Sequence, residues 1–165
     1  MESVKKTENV LAVVTDALGN ISKQVWGSNI ITDDGDTFYA QKIVGETSAF
    51  FETPYMLLGT GTTLPAKTDV GVELPITGAY KQVDAGMPQR DNQDTGNPDG
   101  GVNVVTWKFS FPLGGVVATG ISEGAIVDDG AAPTNALNHF LFSNTFDLTD
   151  TDQLTIYVNH ALVGV

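Results

Sequence analysis

Three stretches of this chain carry residue types that could do chemistry. The first is Gly59-Thr-Gly-Thr-Thr63, directly after the apolar run Tyr55–Leu58. Many phosphate-binding loops begin this way, with closely spaced glycines opening the backbone towards an anion. A dinucleotide fingerprint needs a third glycine three positions on and a helix behind it, but position 64 is Leu and Pro65 follows. A nucleotide-binding loop of the Gly-Lys-Ser/Thr type fails as well, because Lys67 lies between Ala66 and Thr68. The expectation is a structural turn, held by threonine hydroxyls.

The second stretch is Asp33-Asp-Gly-Asp36. A calcium loop of the EF-hand type needs acids at alternate positions before its glycine and a Glu six residues after it. Gln41 stands there instead. The pattern reads as a solvated turn, and Asp91–Gly100 resembles a calcium loop no better. The third set is scattered: His139, His160 and Glu123, each in an apparent strand. Two histidines without neighbouring ligands make no metal site. No G-x-S-x-G elbow accompanies them. Glu123 could serve as a catalytic acid if a second carboxylate faced it. Taken alone it reads as an edge or salt-bridge residue, since isolated carboxylates are mostly surface groups. The sequence therefore supports no catalytic residue, no cofactor-binding residue, no metal ligand and no enzyme activity.

These residues must be positioned by strands. Turn signals recur at Leu18-Gly-Asn20, Asp34-Gly-Asp36, Gly59–Gly61, Asn97–Gly101, Gly114-Gly115 and Asp129-Gly130. Between them lie runs rich in Val, Ile, Thr, Phe and Tyr, which suit a pleated half-buried surface. The expected strands are Val10–Asp16, Ile21–Ile31, Thr37–Val44, Tyr55–Leu58, Val72–Val83, Val102–Phe111, Val117–Val127, Leu137–Asp147 and Leu154–Asn159. Alternation puts Val105, Trp107, Phe109 and Phe111 on one face of their strand, and Leu154, Ile156 and Val158 on one face of theirs. Gly45–Phe51 could hold a helical turn. The fold class expected is all-β: a single-domain β-sandwich over 1–165, jelly-roll-like, with a long acidic loop. Residues 1–15 form an N-terminal arm or first strand. Residues 84–101, with Asp84, Asp91, Asp94 and Asp99, form an exposed projection.

Composition bounds the partners. The chain has 165 residues, no cysteine, and 20 acidic against 8 basic residues, for a net charge of −12. A chain of this length buries roughly 70% of its unfolded surface and needs no metal or disulfide staple. With Lys5-Lys6 its only basic pair and Arg90 its only arginine, it offers no footprint for nucleic acid or for an anionic membrane. The apolar run Val10–Val14 is too short for a signal core or a membrane span, so synthesis in the cytoplasm is expected.

The order of segments resembles a family of small structural proteins of tailed bacteriophages. The residues that carry the resemblance are "YMLLGTGTTLPAKTDVGVELPI", "VVTWKFSFPLGGVVATGISEGAIVDD" and "NHFLFSNTFDLTDTDQLTIYVNHALV", with the opening "VTDALGNISKQVWGSNIIT". In that family an apolar strand enters Gly-Thr-Gly-Thr-Thr, followed later by a segment of the type I-(T/S)-E-A-G. Here the pair after Glu123 is reversed, as Gly124-Ala125, and the family's aromatic near Val127 is missing. The resemblance implies a virion part: a capsid decoration or cement protein, bound to the outer surface of the major capsid protein shell. It would act as a homo-oligomer, a trimer suiting the three-fold positions of a capsid lattice. A tail, baseplate or fibre component is the alternative, and a glycan-binding module a third. Candidate interface residues are Val4, Val10, Leu11 and Val13 of the arm, and Phe50-Phe51. For glycan stacking the candidates are Trp26, Tyr39 and Tyr80.

Overall fold

In the computed structural model, residues 9–48, 50–90 and 104–161 are described. The expected all-β class holds. Strands β1 (Val10–Thr15), β2 (Ile21–Ile31), β3 (Tyr55–Gly59), β4 (Pro75–Gln82), β5 (Gln89–Arg90), β6 (Val104–Phe111), β7 (Ala118–Val127), β8 (Ala136–Leu148) and β9 (Gln153–Ala161) are joined by one helix, α1 (Asp33–Ile43). They form one antiparallel sheet in the order β4-β3-β7-β8-β2-β1-β9-β6-β5. The sheet curls until its ends meet. Asp84, just past β4, donates its amide to the Lys108 carbonyl at 3.0 Å, and its carboxylate accepts from the Ser110 amide at 2.9 Å. Gln89 and Arg90 then run beside Thr106 and Val105. The first seven residues of the expected 84–101 projection are therefore a seam along β6; residues 91–101 lie outside the described residues.

The concave face holds the core. Trp107, Phe109 and Phe111 stand opposite Val158, Ile156 and Leu154 in register, and all six are buried in one cluster. The alternation of both strands placed them there. β1 lies between β2 and β9, with Val10, Ala12 and Val14 in the same cluster. The hairpin from β1 to β2 turns at Leu18-Gly-Asn20 as expected. Asp16 accepts from the amides of Leu18 and Asn20, both at 2.9 Å, and Gly19 takes a φ of +82°, a conformation that favours glycine.

The expected strand Thr37–Val44 is instead the body of α1, and Asp33–Asp36 is its first turn rather than a hairpin turn. Thr32 caps the helix, its hydroxyl oxygen accepting from the Gly35 amide at 3.1 Å. Three aspartates in the first turn and Lys42 in the last complement the helix dipole. The helix ends in a Schellman arrangement. The Glu46 amide donates to the Gln41 carbonyl at 2.9 Å and the Gly45 amide to Lys42 at 3.2 Å, with Gly45 at φ +76°. So the helical turn expected in Gly45–Phe51 is replaced by a helix end and irregular chain. The pattern misled because α1 buries only Gly35, Phe38 and Tyr39, too few to draw an apolar stripe.

Gly35 is required by space. A Cβ there would sit 2.0 Å from the Leu137 carbonyl oxygen of β8. Intrinsic helix propensity favours Ala over Gly by about 1 kcal/mol, whereas forcing atoms into a packed contact costs about 1–3 kcal/mol and more where backbone must move. Gly35→Ala is therefore expected to destabilise the protein, read as a lower denaturation midpoint with an unchanged slope. A stabilised variant would mean that α1 does not press on β8.

Candidate functional site: a carboxylate clamp beneath the glycine loop

Of the residues singled out for chemistry, the glycine loop, Glu123 and His139 come together on the convex side of β7 and β8. Glu123 lies on β7 and is wholly buried, so it is neither an edge nor a surface group, but it is the salt-bridge residue the sequence allowed, paired with His139. Its Oε1 accepts from the amides of Gly61 at 2.7 Å and Leu74 at 2.9 Å. Its Oε2 accepts from the Glu73 amide at 2.9 Å and from His139 Nε2 at 2.9 Å. The opposite ring nitrogen of His139 meets Asp69 Oδ2 at 2.6 Å. Next door, Glu73 Oε2 accepts from the amides of Thr62 and Thr63, both at 3.0 Å. The Ser122 hydroxyl donates to the Gly61 carbonyl at 2.6 Å.

The glycine loop is thus a turn, as expected, and also an anion cradle whose anions belong to its own chain. Its glycines are needed for approach. A Cβ at Gly59 would lie 2.4 Å from Glu123 Oε1, and one at Gly61 2.5 Å from the same atom. Convergent backbone amides suit any carboxylate or phosphate oxygen. The sequence reading dismissed an anion here, because its occupant sits more than sixty positions along the chain, where no local pattern could reveal it.

The electrostatics follow from the contacts. Burial pushes the Glu123 carboxyl up, but the bond from His139 and the amides of Leu74, Glu73 and Gly61 outweigh it and hold it at about 2. Burial pushes His139 down, yet the bonds to Glu123 and Asp69 prevail and raise it above its ordinary value. Both ring nitrogens face carboxylate oxygens, which only accept, so His139 is an imidazolium donating twice. The cluster is a carboxylate–imidazolium–carboxylate clamp. It ties β7 and β8 to the segment 60–74, which Lys67 also anchors to Asp36 of α1. A shallow cavity of about 300 Å³ lies over Asp69, Glu73 and His139.

His160 joins a different group, inside the curled sheet. Trp107 Nε1 donates to the Tyr39 oxygen at 2.9 Å, and that hydroxyl lies 2.5 Å from His160 Nδ1. Burial pushes the His160 ring down to about 3 and the Tyr39 hydroxyl up, so both are neutral. The hydroxyl donates to Nδ1, which leaves the proton of the ring on Nε2, a buried atom with no hydrogen-bond partner among the described residues.

The expected interface residues are dispersed. Val10, Leu11 and Phe51 are buried, so they are core rather than contact surface. Val10 and Leu11 lie on β1, an interior strand paired on both sides, and Phe51 packs edge-on against Phe38 of α1. Val13 is half-buried and Phe50 is exposed, while Val4 lies outside the described residues. Of the glycan-stacking candidates, Tyr39 is buried, Trp26 is half-buried, and Tyr80 is exposed on β4, packed against Gly130. Comparison with protein-family models, with curated proteins and with solved structures finds no match to this chain.

The clamp sets a pH dependence with a definite sign. The raised folded value of His139 gives stability that is complete below the ordinary histidine value of 6.5 and is lost as pH rises through the folded value. The lowered value of Glu123 gives stability present above its ordinary 4.5 and lost as pH falls towards about 2. Melting temperature should therefore plateau between those ordinary values and decline on the alkaline side, and His139→Gln should flatten that alkaline decline. Glu123→Gln leaves the imidazolium short of a buried partner and should cost roughly 3–5 kcal/mol in denaturant unfolding. A loss below about 1 kcal/mol would show that the clamp is not a structural centre.

Proposed function

We propose that this chain is a structural protein of a tailed-bacteriophage virion. In this reading it is a capsid decoration, or cement, protein that binds the outer surface of the major capsid shell as a homotrimer and braces it against internal DNA pressure. It would be made in the host cytoplasm and assembled onto the particle, touching neither nucleic acid nor membrane.

One observation carries the reading. Three segments that supply the sequence resemblance, "LLGTGTTLPAKTD", "GISEGA" and "NHF", are distant along the chain yet meet in a single clamp. The chemistry of that centre supports a mechanical role too. Glu123 accepts four hydrogen bonds, and both nitrogens of His139 are engaged, so these groups brace the framework. An accessory shell protein needs a rigid β framework and a surface that matches its lattice. The second reading, a tail or fibre component, rests on the exposed Tyr80 ring, which could stack on a host glycan.

Immunogold labelling of intact virions tests both. Gold over the heads is the expected result, and capsids lacking the protein should then rupture at lower temperature. Gold confined to tails would replace the cement reading with the second one. Particles that carry no label at all would overturn the virion assignment.

A further inference from the structure

The end of the curled sheet capped by α1 bears an open apolar groove of about 450 Å³. Phe38 and Tyr39 of α1, Phe51, Met87, and Val105 and Trp107 of β6 form its walls. The Phe38 ring meets Phe51 edge-on at 5.5 Å and Tyr39 at 5.3 Å. The apolar surface continues past the groove onto its lip, where Ile43 and Val44 are 75% and 69% exposed. Phe50 adds an exposed ring 6.4 Å from Phe51. Phe51 itself takes a φ of +61°, which non-glycine residues avoid, and it turns its own ring inward while Phe50 stays out. Contiguous exposed apolar surface of this kind marks an interaction site on soluble proteins.

The charges around the groove narrow the partner. Lys42 and Glu52 both line it, and neither has an ion-pair partner among the described residues. Arg90, the only arginine, stands in register with Val105 of the groove wall, and Glu46 is exposed beyond the helix end. This rim is locally balanced on a chain of net charge −12. Two copies of so acidic a protein repel over most of their surfaces. They can approach most closely where the charge is balanced and each brings the sign the other lacks. A small apolar ligand would fill the cleft but leave the exposed Val44 and Phe50 beside it in water, and it would bring no counter-charge to Lys42 or Glu52.

We infer that the α1 groove is the surface through which this chain binds a second copy of itself, with Ile43 and Val44 packed across the contact and Lys42 of one copy opposite Glu52 of the next. This gives the oligomer of the proposed function a location, but it requires no virion and stands or falls on the purified chain.

Sedimentation velocity of the full chain over a concentration series provides the test. The wild type should assemble. Ile43→Asp should weaken assembly by roughly tenfold or more, with an unchanged melting curve of the monomer because Ile43 is solvent-facing. Lys42→Glu and Glu52→Lys should each weaken it, and the double reversal should recover most of the loss. A chain that stays monomeric at every concentration would overturn the inference. So would assembly indifferent to Ile43→Asp, or a double reversal no better than the worse single change. Any of these results leaves the labelling of virions still to be decided on its own terms.

Discussion

A carboxylate with no access to water is the constraint around which the outer half of this molecule is arranged. Burying Glu123 in its charged form is unfavourable unless every oxygen lone pair finds a donor. The chain supplies three amides and an imidazolium. Those requirements dictate a loop whose amides point inward and glycines where no Cβ can fit. They also dictate a histidine on the adjacent strand, and a second carboxylate to keep that histidine charged. The segment 60–74 leaves Leu64, Val70 and Leu74 exposed, and its order comes from this polar centre rather than from a core.

The two histidines show how environment divides one side chain into opposite roles. His139, between two carboxylates, is charged and ties three segments together. His160, enclosed with Tyr39 and Trp107, is neutral and belongs to the aromatic interior. Both occur as Asn-His in an apparent strand, and nothing in those dipeptides separates them. The distinction comes from what the fold brings opposite: acids in one case, rings in the other.

The strands were the legible part of the fold. Period-two alternation named Trp107, Phe109, Phe111, Leu154, Ile156 and Val158 as core-facing, and the Leu18-Gly-Asn20 turn was plain. Alternation reports one strand's two faces, and that suffices where one face is buried. It failed at Asp33–Ile43, where the helix is held by its cap, its charges and two aromatic anchors rather than by a stripe. There the signal was the Thr32 cap followed by acids, a pattern also typical of turns. Of the two alternatives for residues 1–15, arm or first strand, a strand begins at Val10, but its place in the sheet was not legible. Val10 and Leu11 look the same whether a strand is central or peripheral, because sheet order is a long-range property. Of the clamp only the turn at the glycine loop was legible; the carboxylate that fills it depended on pairing between β3, β7 and β8.

The position of β1 has a consequence for how the protein forms. The earliest described strand is hydrogen-bonded along its whole length to the latest, with Val10 opposite Val158 and Thr15 opposite Gln153. Until β9 has been synthesised, β1 and β6 each lack a neighbour, and both carry apolar side chains beside unpaired amides. Closure of such a sheet is governed by contacts far apart in sequence, which form slowly and leave sticky edges exposed meanwhile. The nascent chain thus cannot complete its sheet piece by piece; its last strand acts as the keystone, and the interval before that strand emerges is when the protein is most vulnerable to joining the wrong partner.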